Sequence, residues 1–116
     1  MLSFLKSKPL LKELIPQDYT DIHSHLLFGI DDGAQNQNDT AYLLDSCREF
    51  GFARMITTPH TCSSVWENTR ESIENKLQEV YGLLPEPAGA LQLKAASEYM
   101  LDDTFVKLFQ EEKLLT

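Results

Sequence analysis

After the first eighteen residues, the sequence alternates between short strand-like stretches and longer helix-like stretches, and this alternation restricts the fold more than any other feature. Short strands that alternate with amphipathic helices are typical of βα units around a parallel sheet or barrel. The predicted strands cover residues 19–26, 52–60 and 91–99, which are rich in apolar and β-branched side chains. We therefore expect an α/β fold.

Two helices separate these strands. Asn38 or Asp39 can cap a helix over residues 39–50, whose apolar positions follow helical spacing, and Gly51 is placed to end it. The second helix is predicted over residues 67–84, where an apolar stripe lies opposite a charged face. Each helix would return the chain to the start of the next parallel strand.

Proline, glycine and aspartate mark the remaining boundaries. Pro85 would close the second helix and begin a turn with Pro87 and Gly89. Asp102 or Asp103 can cap a last helix. The sequence therefore predicts a turn before the third strand and a helix N-cap after it.

The first eighteen residues differ from the rest of the chain. Lysines interrupt their apolar run, so they lack the continuous apolar stretch of a signal peptide or a membrane span. Pro9 suits the start of a short amphipathic helix and Pro16 its end. We expect residues 1–18 to form a helical extension to a domain of residues 19–116.

Composition limits the possible partners. The chain has 116 residues and a net charge of −8, which fits one acidic globular domain. Such a surface repels a nucleic-acid backbone and attracts divalent cations, so no nucleic-acid partner is expected. Cys47 and Cys62 form no CxxC pair and suggest no disulfide framework. A reducing, cytoplasmic setting is the expectation.

The stretch TDIHSHLLFGIDDG, residues 20–33, carries the first candidate ligands. On a strand, His23 and His25 would share a face with Cα atoms roughly 7 Å apart, so both rings could bind one ion. Asp21 shares that face and could hydrogen-bond a histidine ring and fix its tautomer. Taken alone, a His-x-His pair is more often a strand terminus with two hydrogen-bonded imidazoles.

Polar residues also end the other two strands, where βα folds concentrate function. Each has an ordinary explanation, since an aspartate pair between glycines can be a plain turn and a histidine or glutamate at a strand end can be solvent-exposed. Their coincidence favours a metal site, and the mixture of N and O ligands suits manganese, iron or zinc. The set comprises His23, His25, Asp31, Asp32, His60 and Glu98.

Other candidate groups are weaker. Cys62 does not begin the Cys-x5-Arg loop of thiol phosphatases, because Arg70 follows at the wrong interval. Arg48, Arg54 and Arg70 could bind phosphate, but single arginines on helices and strand edges are usually solvated. No glycine-rich nucleotide loop or Gly-x-Ser-x-Gly elbow occurs.

Three segments together resemble a known family: DIHSHLLFGIDDGA, ITTPH and SEYMLDD. They are similar to the first motifs of the PHP (polymerase and histidinol phosphatase) superfamily, and within it to the CpsB/CapC type of manganese-dependent protein-tyrosine phosphatase of capsule and exopolysaccharide loci. The resemblance spans residues 20 to about 109. It implies the N-terminal portion of a PHP-type distorted (β/α)7 TIM-like barrel with two or three metal ions at its strand ends.

The resemblance also implies roles for particular residues. Asp32 would be a ligand in preference to Asp31, because it is the second acid of the family's DDG. The ions would bind phosphate oxygens and lower the pKa of a water, so no cysteine nucleophile is needed. The implied ligands are His23 and His25 for one ion, Glu98 bridging to a second, and Asp32 with His60 for a third.

The function implied by the resemblance is hydrolysis of phosphotyrosine on a protein, in particular a bacterial tyrosine kinase that controls capsule assembly. Two alternatives stay open: hydrolysis of a small phosphate ester such as histidinol phosphate, and a non-catalytic metal-binding module. Barrels of this kind have about 250 residues, so a chain of 116 would hold part of one and show reduced activity. Its unpaired outer strands would favour a homo-oligomer.

Overall fold

The computed structural model describes residues 7–83 and 91–116. Within these residues strands and helices alternate as the sequence predicts. The elements are α1 (Leu11–Leu14), β1 (Thr20–Asp21), α2 (Gln37–Phe50), β2 (Arg54–Thr57), β3 (His60–Thr61), α3 (Arg70–Leu83), β4 (Gln92–Ala95), β5 (Glu98–Tyr99) and α4 (Asp103–Gln110).

The strands form two small parallel sheets. The larger has the order β1-β2-β4, with Asp21 opposite Met55 and Met55 opposite Leu93. The smaller pairs β3 with β5 and places His60 opposite Glu98. The parallel α/β arrangement is confirmed. The strands in the described part of the chain do not close into a barrel, so the TIM-like barrel is not confirmed.

The core lies between the larger sheet and the two long helices. Leu44 of α2 and Ile73 and Val80 of α3 are buried there, which confirms the apolar stripes predicted for both helices. Cys47 packs at the edge of this core as a small apolar residue. The buried apolar residues are Leu26, Leu27, Leu44, Met55, Ile73, Val80, Leu91, Leu93 and Leu115.

The predicted strands are longer than the observed ones. The first ends at Asp21, and each of the other two divides into a longer and a shorter piece. Pro59 explains the break between β2 and β3, because proline has no N–H to donate to a ladder. The first strand stops early because the backbone beyond Asp21 bonds to the end of β2 through Thr57.

The long α2 helix begins earlier than predicted. Asn36, not Asn38 or Asp39, is its N-cap, and the Asn36 side chain accepts from the Asp39 N–H. Gly51 ends α2 with φ of 90°, as expected for a left-handed C-cap.

The other predicted boundaries are confirmed only in part. α3 begins at Arg70 rather than at residue 67. Asp102 is confirmed as the cap of α4. The predicted turn at residues 85–89 lies outside the described residues. The division into an extension of residues 1–18 and a domain stays a prediction. Within the described ranges, no helix combines the length and the apolar character needed to cross a bilayer.

Candidate metal centre

Hydroxyl groups hold the first histidine segment over the end of β2. The Thr57 hydroxyl is buried; it donates to the Ser24 carbonyl at 2.9 Å and accepts from the Leu26 N–H at 3.0 Å. Thr40 of α2 donates to the Leu26 carbonyl at 2.7 Å. These side-chain hydrogen bonds take the place of the backbone hydrogen bonds between paired strands, so His23 and His25 lie in a loop and not on a strand. Their rings are nevertheless neighbours, with centroids 5.3 Å apart.

One carboxylate oxygen lies at the centre of the candidate site. Oε2 of Glu98 is 3.2 Å from Nε2 of His25, 3.4 Å from Nδ1 of His60 and 3.7 Å from Nε2 of His23. This oxygen is buried and accepts no hydrogen bond from the described residues. A buried acceptor without a donor is costly in free energy, so the arrangement calls for a positive charge among these atoms.

A second group of potential ligands shares residues with the first. His25, Asp32 and His60 each offer a ligand atom, and these atoms lie within 4.8 Å of one another. Oδ1 of Asp32 is 3.4 Å from Nε2 of His60. The structure thus brings together all five residues for which a metal role was predicted. Their role as ligands stays a prediction.

Asp31 has a different position from its neighbour. Its side chain is fully buried, and its Oδ2 accepts from Nδ1 of His25 at 2.8 Å and from the His60 N–H at 3.0 Å. Oδ1 accepts from the Gly33 N–H at 2.9 Å. Burial raises the pKa of the Asp31 carboxyl, but these hydrogen bonds outweigh burial and hold that pKa below its ordinary value.

The Asp31 contact fixes the state of one imidazole. An ionised carboxylate can only accept, so Nδ1 of His25 carries the proton and the Nε2 lone pair points toward Glu98. This is the orientation that a metal-ligating histidine adopts beside a carboxylate partner. Sequence reasoning assigned no such role to Asp31; an Asx-turn to Gly33 was its one detectable signal.

Asp21 was predicted to bond a histidine ring, and the structure does not bring it into such contact. Nδ1 of His25 bonds Asp31, and Nδ1 of His23 lies 3.2 Å from the Thr58 hydroxyl. Oδ2 of Asp21 is buried and has no hydrogen-bond partner among the described residues. Burial, together with the charge of Asp21, raises the pKa of the Cys47 thiol.

The loop between β3 and α3 adds an aromatic ring and an amide to the site. Trp66 stacks on the imidazole of His60 with centroids 4.7 Å apart and an interplanar angle of 15°. The Asn68 side chain donates to the carbonyls of His60 and Ile30, both at 2.8 Å. Neither residue was singled out from the sequence, because their contacts depend on how the loop folds back.

The remaining candidates lie elsewhere. Arg48 pairs with Asp45, Arg54 donates to the Asp18 carbonyl, and Arg70 donates to the Leu114 carbonyl. Cys47 and Cys62 are both free. These arginines therefore do not face the candidate ligands.

The donor set suits a hard or borderline divalent cation. Three imidazoles and two carboxylates supply N and O ligands, and the orphaned Glu98 oxygen lies among three ring nitrogens. The free Nε2 lone pair of His25 can serve one ion, together with His23 and Glu98 or together with Asp32 and His60. Fold and site together define a parallel α/β chain with a candidate metal centre at its strand ends.

Comparison with known proteins identifies the family. The sequence model of a family described as capsular polysaccharide synthesis, CpsB/CapC, matches residues 19–116. The chain belongs to the CpsB/CapC family.

Two relatives in this family show the extent of the similarity. The protein named tyrosine-protein phosphatase CpsB of Streptococcus pneumoniae is 29% identical over 93 residues, which cover 79% of this chain and 38% of that protein. The protein named "Putative tyrosine-protein phosphatase CapC" of Staphylococcus aureus is 24% identical over 94 residues, 81% of this chain and 37% of that protein. The chain therefore spans somewhat more than a third of the length of each.

Proposed function

We propose that the protein is a metal-dependent phosphatase that hydrolyses phosphotyrosine on proteins and acts in the control of capsule or exopolysaccharide synthesis. The observation that carries the proposal is the buried Oε2 of Glu98, which has three imidazole nitrogens around it and no hydrogen-bond donor among the described residues. The names of the two relatives support the reaction and the substrate class.

Charge explains why this site would need cations to act on a phosphate ester. The ion pairs at the site join histidines to carboxylates, and among the described ion pairs those of Lys and Arg lie elsewhere. A phosphate dianion would be repelled by the ionised carboxylates of Asp31, Asp32 and Glu98. Bound divalent cations would reverse that charge, bind phosphate oxygens and lower the pKa of a water toward about 7.

The side chains of the site have different proposed roles. The ions would be held by His23, His25, Asp32, His60 and Glu98. Asp31 orients His25, and the Thr58 hydroxyl lies against His23. Manganese is the proposed metal on the family resemblance, and iron or zinc would suit the same N and O ligands.

The test compares substrates and variants. With manganese added, the protein should release phosphate from a phosphotyrosine peptide faster than from histidinol phosphate. Glu98→Gln should lower both the bound metal and the rate by at least about tenfold. Glu49→Gln, an exposed position on α2, is the matched control. Metal-independent hydrolysis would contradict the proposal, and faster turnover of histidinol phosphate would favour the small-ester alternative.

The proposed partner is a phosphorylated bacterial tyrosine kinase in the cytoplasm, and self-association is proposed as well. β1 and β4 are the outer strands of the larger sheet, and outer strands invite pairing with another chain. Light scattering over a dilution series should give a mass above that of the 13.2 kDa chain. A monomer at every concentration would contradict self-association.

A further inference from the structure

The loop of residues 62–69 is built so that it carries an aromatic ring to a candidate ligand. Cys62 and Trp66 exchange backbone hydrogen bonds of 2.9 and 3.0 Å and close a tight turn. Within this turn Ser64 has φ of 67°, in the left-handed region that is uncommon for residues other than glycine. Trp66 is therefore fixed in the backbone and not placed by its side chain alone.

The same loop is anchored on two sides. Ser63 donates its N–H to Oδ2 of Asp102, the cap of α4, and its hydroxyl bonds the Thr104 hydroxyl at 2.8 Å. On the other side, Asn68 joins the carbonyls of His60 and Ile30. The loop thus connects α4, the DDG turn and the start of β3.

The His60 imidazole has two polar contacts that depend on its plane. Nδ1 lies 3.4 Å from Glu98 and Nε2 lies 3.4 Å from Asp32, so rotation of the ring would break both contacts. The stacked indole restrains that rotation. The rings of His23, His25, His60 and Trp66 form one continuous row with centroid separations of 5.3, 4.6 and 4.7 Å.

We propose that Trp66 is a positioning residue of the candidate metal centre: its indole holds the His60 imidazole in the plane that places Nδ1 beside Glu98 and Nε2 beside Asp32. This inference rests on the proposed metal-dependent function. It assigns Trp66 a role in the site through contact with His60, a candidate ligand, and not through contact with the ion. Trp66 is the only tryptophan in the chain, so it also reports on the site by fluorescence.

The first experiment compares a planar with a non-planar replacement. Trp66→Leu keeps apolar bulk without a ring and should weaken manganese binding about tenfold, as loss of a ligand-orienting contact does. Trp66→Phe keeps a stacking ring and should bind nearly as tightly as the wild type. Phe109→Leu, an exposed aromatic position on α4, is the control and should change nothing. Binding is measured by titration calorimetry, without any assay of activity.

The second experiment reports on His60 directly. The chain has three histidines, so their ring protons give few NMR signals. With zinc as a diamagnetic probe, the His60 signal should move downfield in Trp66→Leu and stay close to its wild-type position in Trp66→Phe. In the wild type, manganese should quench Trp66 fluorescence over the range in which calorimetry detects binding, and His60→Ala should abolish the quenching.

The outcomes separate the two proposals. Equal manganese affinity for Trp66→Leu and Trp66→Phe would overturn the positioning role and leave the metal centre intact. Unquenched Trp66 fluorescence in metal-loaded wild type would also overturn it, even if the leucine variant failed to fold. Wild-type protein that binds neither manganese, iron nor zinc would overturn the proposed function and the positioning role together.

Discussion

Asp31 and Asp32 are adjacent, and the structure separates their roles. The Asp31 carboxylate accepts hydrogen bonds from three N–H donors. In Asp31→Asn, the amide nitrogen would face at least one of these donors and cannot accept from it, so a buried hydrogen bond is lost. We expect a loss of about 1–3 kcal/mol in the free energy of unfolding and about 10–100-fold in manganese affinity. Urea denaturation and calorimetry measure the two quantities.

Asp32→Asn is the matched control for that change. The Asp32 side chain is 63% exposed, so the substitution should leave stability within about 0.5 kcal/mol of the wild type. Its manganese affinity should still fall, since Asp32 offers a ligand atom. Equal stability of the two variants would contradict the role assigned to Asp31.

Gly33 is required for a close approach and not for an unusual φ. A Cβ at this position would lie 2.4 Å from both the Cβ and the carbonyl oxygen of His25. Gly33→Ala must therefore displace His25, at a cost of about 1–3 kcal/mol in unfolding free energy together with weaker manganese binding. Thermal melting and calorimetry test this expectation.

Gly82 provides the control for Gly33. It lies inside α3, and a Cβ there would meet no described atom within 4 Å. Gly82→Ala should raise stability by about 0.5–1 kcal/mol, because alanine loses less backbone freedom in a helix. If both alanine variants melted at or above the wild-type temperature, the packing argument for Gly33 would fail.

At the scale of elements, the sequence predicted the order of strands and helices better than their ends. Periodicity found α2 and α3 because their buried residues repeat at helical spacing. The predicted strands were too long, since residues 22–26 lie against the end of β2 through the Thr57 hydroxyl without joining a ladder. Residue type and position at strand ends gave six candidate ligands, and the family resemblance preferred Asp32 over Asp31. The contacts of Asp31, Trp66 and Asn68 join distant segments, and no local pattern encodes them.

Thr57 links the end of β2 to the histidine segment of residues 23–26, which forms no strand pair with β2 beyond Asp21. Its hydroxyl bonds two backbone groups of the histidine segment, so Thr57→Val would leave a buried carbonyl and a buried N–H without this partner. We expect a loss of about 1–3 kcal/mol in unfolding free energy, measured by urea denaturation. Thr104→Val removes an exposed hydroxyl contact and should change stability by no more than about 0.5 kcal/mol. Equal losses for the two variants would show that Thr57 does not carry the connection.

At the scale of the whole molecule, the candidate ligands come from segments far apart in the chain. Nε2 of His23 and Oε2 of Glu98 are 3.7 Å apart, yet most of the domain lies between these two residues in sequence. The two ligand groups therefore exist only in the folded chain. A cation that binds them must stabilise the folded state relative to the unfolded one.

This linkage gives a prediction that needs no substrate. At a free manganese concentration of 100 times its dissociation constant, the stabilisation is about 2.7 kcal/mol. For a domain of roughly 100 residues this corresponds to a rise of roughly 10–20 °C in Tm. At the same manganese concentration the rise should fall by at least about half in Glu98→Gln and His60→Ala and be retained in Glu49→Gln. A Tm that did not respond to manganese, iron or zinc would contradict a metal centre at the strand ends, and an equal rise in Glu98→Gln would place the ion elsewhere in the molecule.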